Sequence, residues 1–141
     1  MVLVDSSIWI EAARRNGDLA CKVALESLLE EYEAALCSPV RLEVLGGARK
    51  EDRKKLAAGF GVIPYLEVNE STWNLAVESG WRLRDTGLAA PWNDILIASL
   101  SIEKACRVYA RDKHFDLMAQ TIGLRLYAPG YGGSYAPDVK A

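Results

Sequence analysis

An α/β fold with a parallel sheet covered by helices on both faces follows from three features of the sequence. Short, fully apolar runs such as Val2-Leu3-Val4 and Ala35-Leu36-Cys37 lack the alternation of a half-exposed strand, so they read as strands buried on both faces. Longer segments with apolar residues at helical spacing separate those runs. Carboxylates stand directly after the runs or in the first turns of the next helices, where open parallel sheets place their ligands.

Taken in order, Val2-Leu3-Val4 is a strand ending in Asp5, and Ser6 and Ser7 offer N-caps for a short helix over Ile8 to Arg15, stopped by Asn16-Gly17. From Leu19 to Tyr32, apolar Val23, Leu25, Leu28 and Leu29 alternate with Glu26, Glu30 and Glu31 in an amphipathic helix. After the strand at Ala35-Leu36-Cys37, Ser38-Pro39 opens a helix that runs to the Gly46-Gly47 break, with Ser as cap and Pro at the first helical position. Glu51 to Ala58 reads as a basic helix and Tyr65 to Val68 as a strand. Asn69 to Ser71 cap a long helix from Thr72 to about Thr86, and Pro91-Trp92-Asn93 introduces another over Asp94 to Glu103. Cys106 to Ala110 is strand-like, Lys113 to Thr121 helical, and Leu124 to Tyr127 a last strand. The pattern forms one domain over 1–128, followed by a Gly- and Pro-rich tail over 129–141 that composition alone leaves loose.

Composition narrows the function. The 141 residues are 50% hydrophobic and 26% charged, as in an ordinary globular domain. The opening MVLVDSSIWI has no basic lead and carries Asp5 inside its apolar run, which argues against a signal peptide. No apolar run reaches the roughly 18 residues of a membrane span. Cys21, Cys37 and Cys106 are widely spaced and odd in number, a pattern of reduced thiols in a cytoplasm and not of a zinc site. A single histidine, His114, excludes a multi-histidine metal centre. The formal net charge of −2 does not by itself advertise nucleic-acid binding. An acidic pocket that binds cations accounts for part of that charge. Basic residues gather locally at Arg41, Arg49, Lys50, Arg53, Lys54 and Lys55, and at Arg107, Arg111 and Lys113; the plainer reading of such runs is a solvated helix face.

Asp5, Glu43, Asp94 and Asp112 are the candidate site residues. They lie 38, 51 and 18 residues apart, so only the fold can unite them. Singly, the aspartates could serve as helix caps and Glu43 as a solvated helix residue. Jointly, carboxylates at one rim of a sheet repel one another unless a hard cation such as Mg²⁺ or Mn²⁺ joins them. Such a cation activates water against a phosphodiester and neutralises the charge that builds up during cleavage.

Four segments carry a resemblance: VLVDSSIWI, LCSPVRLEVLGG, PWNDILIASLSIEKA and VYARDKHFD. With their order they cover nearly the whole chain before the tail, and the sequence resembles a PIN-domain nuclease, most closely a VapC-type toxin of a toxin–antitoxin pair. The resemblance implies a three-layer α/β/α fold with a central, mostly parallel sheet. It also implies metal-dependent endoribonuclease activity with Mg²⁺, for which Mn²⁺ can substitute, held by Asp5, Glu43, Asp94 and Asp112. A hydroxyl beside the first aspartate, Ser6 or as second choice Ser7, is expected to position metal, water or phosphate. The implied partners are an RNA substrate, a small antitoxin that masks the acidic groove, and a second copy in a homodimer. Many relatives place a further carboxylate two residues after the fourth acid, where this chain has His114; Asp116 could replace it only by swinging in. A dehalogenase-type phosphatase needs an acid where Ser7 stands, and a receiver domain fits Glu43 and Asp112 poorly. The remaining rival is a PIN scaffold that binds a metal or a partner without cleaving RNA. Trp9, Trp73, Trp81 and Trp92 suit core or interface packing better than base stacking, with Trp92, next to Asp94 at the expected rim, as the exception to watch.

Overall fold

The computed structural model describes residues 1–139. Strand β1 (Val2–Val4) is wholly buried at the centre of a three-stranded parallel sheet, between β2 (Ala34–Ala35) and β3 (Arg107–Tyr109). Its side chains alternate between two cores, which is the direct consequence of the two-residue strand period. Val2 and Val4 pack with Ile8 of α1 (Ser6–Ala13) and with Cys21, Leu25 and Leu28 of α2 (Leu19–Glu30). Leu3 faces the opposite core. That core is built from α3 (Ser38–Gly46), α4 (Arg53–Phe60), α5 (Glu70–Asp85), α6 (Trp92–Glu103) and α7 (Lys113–Ala119). The expected α/β/α layering is thus the observed one.

Helix α6 lies deepest, with Ile95 to Ser101 all buried. Its buried hydroxyls are satisfied within the helix: Ser99 donates to the Ile95 carbonyl and Ser101 to the Ala98 carbonyl, each at 2.7 Å. A helix fixed on all sides holds its first turn, and Asp94 with it, in one position.

Several boundaries differ from the sequence reading. Helix α1 begins at Ser6 because Asp5, not a serine, is its N-cap, accepting from the Ser7 amide. Cys37, not Ser38, occupies the N-cap position of α3 and makes no side-chain cap bond. The expected strands at 65–68 and 124–127 contract to single parallel bridges, Leu36 to Tyr65 and Val108 to Leu126. Each borders a strand of only two or three residues, so the ladder has little template to extend along.

The tail has anchors that composition could not reveal. Arg107 stacks over the Tyr127 ring at 4.9 Å and donates to the Ala136 carbonyl at 2.9 Å, while Arg125 pairs with Asp138 at 2.7 Å. The looseness expected of 129–141 therefore overlooks contacts that tie residues up to Asp138 onto the sheet edge; Lys140 and Ala141 lie outside the described residues. No described helix is long and apolar enough to cross a membrane.

Candidate active site

The sheet's switch point adjoins β1, because the chain passes from β1 to β2 on one side and then crosses over to β3 on the other. The crevice beyond the carboxyl end of β1 is where such folds accept ligands. Asp5 leaves β1 at that point, its amide still donating to the Tyr109 carbonyl at 2.9 Å. Its buried carboxylate accepts the Ser7 amide at 3.1 Å and the Ser7 hydroxyl at 2.6 Å. The same hydroxyl accepts the Arg111 amide at 3.0 Å and so joins the β1 turn to the β3 turn. Burial raises the Asp5 pKa above the ordinary carboxylate value; the Ser7 hydrogen bonds oppose that rise and the charge of Glu43 adds to it.

Asp94 projects from the first turn of α6 and caps nothing. Burial, followed by repulsion from Asp5 and Asp112, pushes its pKa up to about 6, although His114 offsets part of the rise. Asp112 is the N-cap of α7 and accepts the His114 amide at 2.9 Å. Burial alone would raise its pKa, but the backbone and side-chain contacts of His114 outweigh that and hold it low. Glu43 stands exposed on α3 and reaches the same rim. The cap role and the site role are therefore compatible for Asp5 and Asp112: each carboxylate starts a helix and also faces the crevice.

Asp5, Ser6, Ser7, Glu43, Asp94 and Asp112 all line one pocket of about 300 Å³. The structure brings the four acids named from the sequence to this one pocket, with Ser6 and Ser7 inside α1 and not as its caps; the sequence reading prefers Ser6 to Ser7 as the positioning hydroxyl. Ser6 is almost fully buried, whereas Ser7 donates to Asp5 from both its amide and its hydroxyl, and that hydroxyl also accepts the Arg111 amide. The D-S-S triplet contained that signal, since an aspartate accepts from the amide two residues on. Ser7→Ala is expected to cost about 1–2 kcal/mol in urea unfolding, because Asp5 and the Arg111 amide each lose a partner. A stability equal to wild type would show that neither bond matters.

Asp116 is exposed and outside the pocket. His114 instead turns its ring inward, with Nδ1 2.8 Å from Asp112 Oδ1 and 3.4 Å from Asp94 Oδ2. Three residues of the basic runs enter structural pairs, Arg111 with Asp18 at 2.8 Å, Arg49 with Asp52 at 3.0 Å, and Arg107 against Tyr127, whereas Arg41, Lys50, Lys54, Lys55 and Lys113 lie exposed. Of the tryptophans, Trp9 packs edge-on against Phe60 at 5.1 Å, whereas Trp73, Trp81 and Trp92 are exposed.

A larger cavity of about 610 Å³ lies elsewhere, between Trp9, Tyr32, Phe60 and Ile63. It is mainly apolar and has no cluster of catalytic groups, so the chemistry belongs to the smaller carboxylate pocket. The donor set there suits a divalent cation. One oxygen or nitrogen each from Asp94, Asp112 and His114 lie within 4.8 Å of one another, and the buried Asp94 Oδ2 has no hydrogen-bond partner.

Comparison with known proteins agrees with this architecture. Ribonuclease VapC11 of Mycobacterium tuberculosis and a VapC ribonuclease of Mycobacterium bovis are each 32% identical over 133 residues, covering 89% of this chain and 96% of theirs. Among solved structures, the fold is similar to VapBC2 from Rickettsia felis, bound to a DNA fragment from its promoter. The TM-score is 0.74 at 21% identity, with coverage of 90% of this chain and 98% of the other. It is also similar to VapC20 of Mycobacterium tuberculosis, described as a sarcin–ricin loop cleaving toxin, with a TM-score of 0.61 at 19% identity over 89% of this chain and 99% of that one. The PIN domain family matches residues 2–120, and the chain belongs to that family.

Proposed function

We propose that this protein is a metal-dependent endoribonuclease and the toxin of a toxin–antitoxin pair. The observation that carries the reading is the meeting of Asp5, Glu43, Asp94 and Asp112, from four separate elements, in one crevice. Asp5, Asp94, Glu43 and Asp112 would hold Mg²⁺, for which Mn²⁺ would substitute, and such a cation would supply water activation and charge neutralisation at the phosphodiester. Around it, Ser7 fixes the Asp5 carboxylate, α6 holds Asp94, and the α7 cap holds Asp112. Ser6, at the floor of the same pocket, is the candidate for positioning water or phosphate.

The substrate is RNA, as the names of the curated relatives indicate for those proteins. Cytoplasmic location is consistent with three buried, unbridged cysteines. The antitoxin partner is a small protein that inserts Arg or Lys among the carboxylates and so replaces the cation's charge. A second copy of the chain completes the assembly, seated on the exposed Trp73, Val77 and Trp81 of α5. No observation among the described residues favours the non-catalytic scaffold, and the relatives with printed names are ribonucleases.

Cleavage of cellular RNA by the purified chain is expected to require Mg²⁺ or Mn²⁺, to stop in excess EDTA, and to leave 5′-phosphate and 3′-hydroxyl ends. Mapping of the 5′ ends after brief induction identifies the cleaved sequence. Full activity in excess EDTA would remove the mechanism, and no cleavage of any cellular RNA with metal present would favour the scaffold.

A further inference from the structure

The three residues that come closest together at the crevice are not all acids. His114 follows Asp112 by two residues in the first turn of α7, and its own amide holds the Asp112 carboxylate in place. Ring and carboxylate are thus set by one cap. Nδ1 stands 2.8 Å from Asp112 Oδ1 and 3.4 Å from Asp94 Oδ2, yet neither Nδ1 nor Asp94 Oδ2 has a hydrogen-bond partner of good geometry. Both atoms are shielded from solvent. Two donors held this close, buried and unbonded suit a shared ion better than each other.

A nitrogen donor changes which ion that is. Mg²⁺ demands an octahedron of oxygens and gains little from imidazole, whereas Mn²⁺ and later divalent metals accept nitrogen readily. We propose that His114 is a metal ligand, and that it turns the site's preference from Mg²⁺ towards Mn²⁺. The inference rests on the reading of Asp94 and Asp112 as metal ligands. The ring acts through its lone pair and takes no part in proton transfer.

The test uses the full chain stripped of metal, titrated calorimetrically with MnCl₂ and separately with MgCl₂ at pH 8. The His114→Ala and His114→Gln variants are expected to bind Mn²⁺ about tenfold more weakly while Mg²⁺ binding changes by less than about threefold. His114→Asp is expected to bring the Mn²⁺ to Mg²⁺ affinity ratio down, chiefly by tightening Mg²⁺. Pulsed electron paramagnetic resonance of the Mn²⁺-loaded wild type should show a directly coordinated ¹⁴N coupling that both the Ala and the Gln variants lack. Absence of that coupling in wild type overturns the proposal. So does tighter binding of both metals by His114→Ala, which would make the ring a resident cation competing with metal. Failure of the underlying reading looks different: Asp94→Asn would then leave Mn²⁺ affinity unchanged.

Discussion

Asp94→Asn is expected to reduce RNA cleavage on the order of 10³-fold while making the metal-free protein more stable at neutral pH. The two effects have one cause. The Asp94 carboxyl is pushed up to about 6 from an ordinary value of 3.8, first by burial and then by Asp5 and Asp112, so its charge is unwelcome in the folded state without a cation. An acid whose pKa is raised by folding keeps its proton in the native state at a pH where the unfolded chain has lost it. Its contribution to stability is therefore full below pH 3.8 and is lost as pH rises to about 6, with no further change above. Asparagine keeps the shape without the charge, so the variant's advantage over wild type should be absent near pH 3.5 and complete by pH 7. Solvent access at the pocket mouth discounts its size to about 1 kcal/mol. Urea unfolding in EDTA at the two pH values measures it. With saturating metal the order should reverse, because only the wild type gains binding energy on folding. A variant that cleaves normally would remove Asp94 from the chemistry; one that is less stable at pH 7 in EDTA would remove the repulsion argument.

What could be read in the sequence, and what could not, divides along local and non-local lines. Asp5 and Asp112 were legible because a strand end, a cap and a carboxylate occupy adjacent positions, and chain direction alone places them on one side of the sheet. Asp94 was legible through Pro91-Trp92-Asn93, which marks a helix start. Glu43 was placed on the right helix, and the solvated position that its type suggests singly is the one observed, although it also lines the pocket, which no local pattern shows. Ser7's link to the Arg111 amide spans 104 residues, and no local pattern encodes a bond of that reach. The same holds for the Arg107 and Arg125 contacts that tie down the tail. Tryptophans were hardest of all. Periodicity put Trp73 and Trp81 on an apolar helical stripe, but not every such stripe faces its own core.

That stripe makes the second large prediction, that Trp81→Glu converts a dimer into a monomer. Trp73, Val77 and Trp81 are 53%, 51% and 64% exposed, a run that a lone soluble domain rarely leaves bare. At 3.6 residues per turn, Glu70, Trp73, Val77, Trp81 and Arg84 fall within about 80° of the α5 surface. The run reads as a palindrome about Val77. Two α5 helices packed antiparallel about a twofold axis at that residue would set Trp73 of one copy against Trp81 of the other, and Glu70 against Arg84. Glu70 and Arg84 are exposed, and no ion pair engages either within its own chain among the described residues. Beside Trp81 a hollow of about 550 Å³, bordered by Ala76 and Gly80, leaves room for a second indole, and a Cβ added at Gly80 would meet nothing. Both the apolar centre and the charged ends therefore match a second copy of the same helix. Because each change enters such an interface twice, Trp81→Glu should weaken association by at least about 100-fold, at no more than 2 kcal/mol per substituted site. Light scattering at about 5 to 100 µM would read the mass directly. The charge pair has its own check: Glu70→Arg alone should weaken the dimer, and adding Arg84→Glu should restore it. A wild type that is monomeric at about 100 µM, or a Trp81→Glu variant of undiminished dimer mass, would remove the α5 interface; a double variant weaker than either single one would break the palindromic register while leaving the stripe.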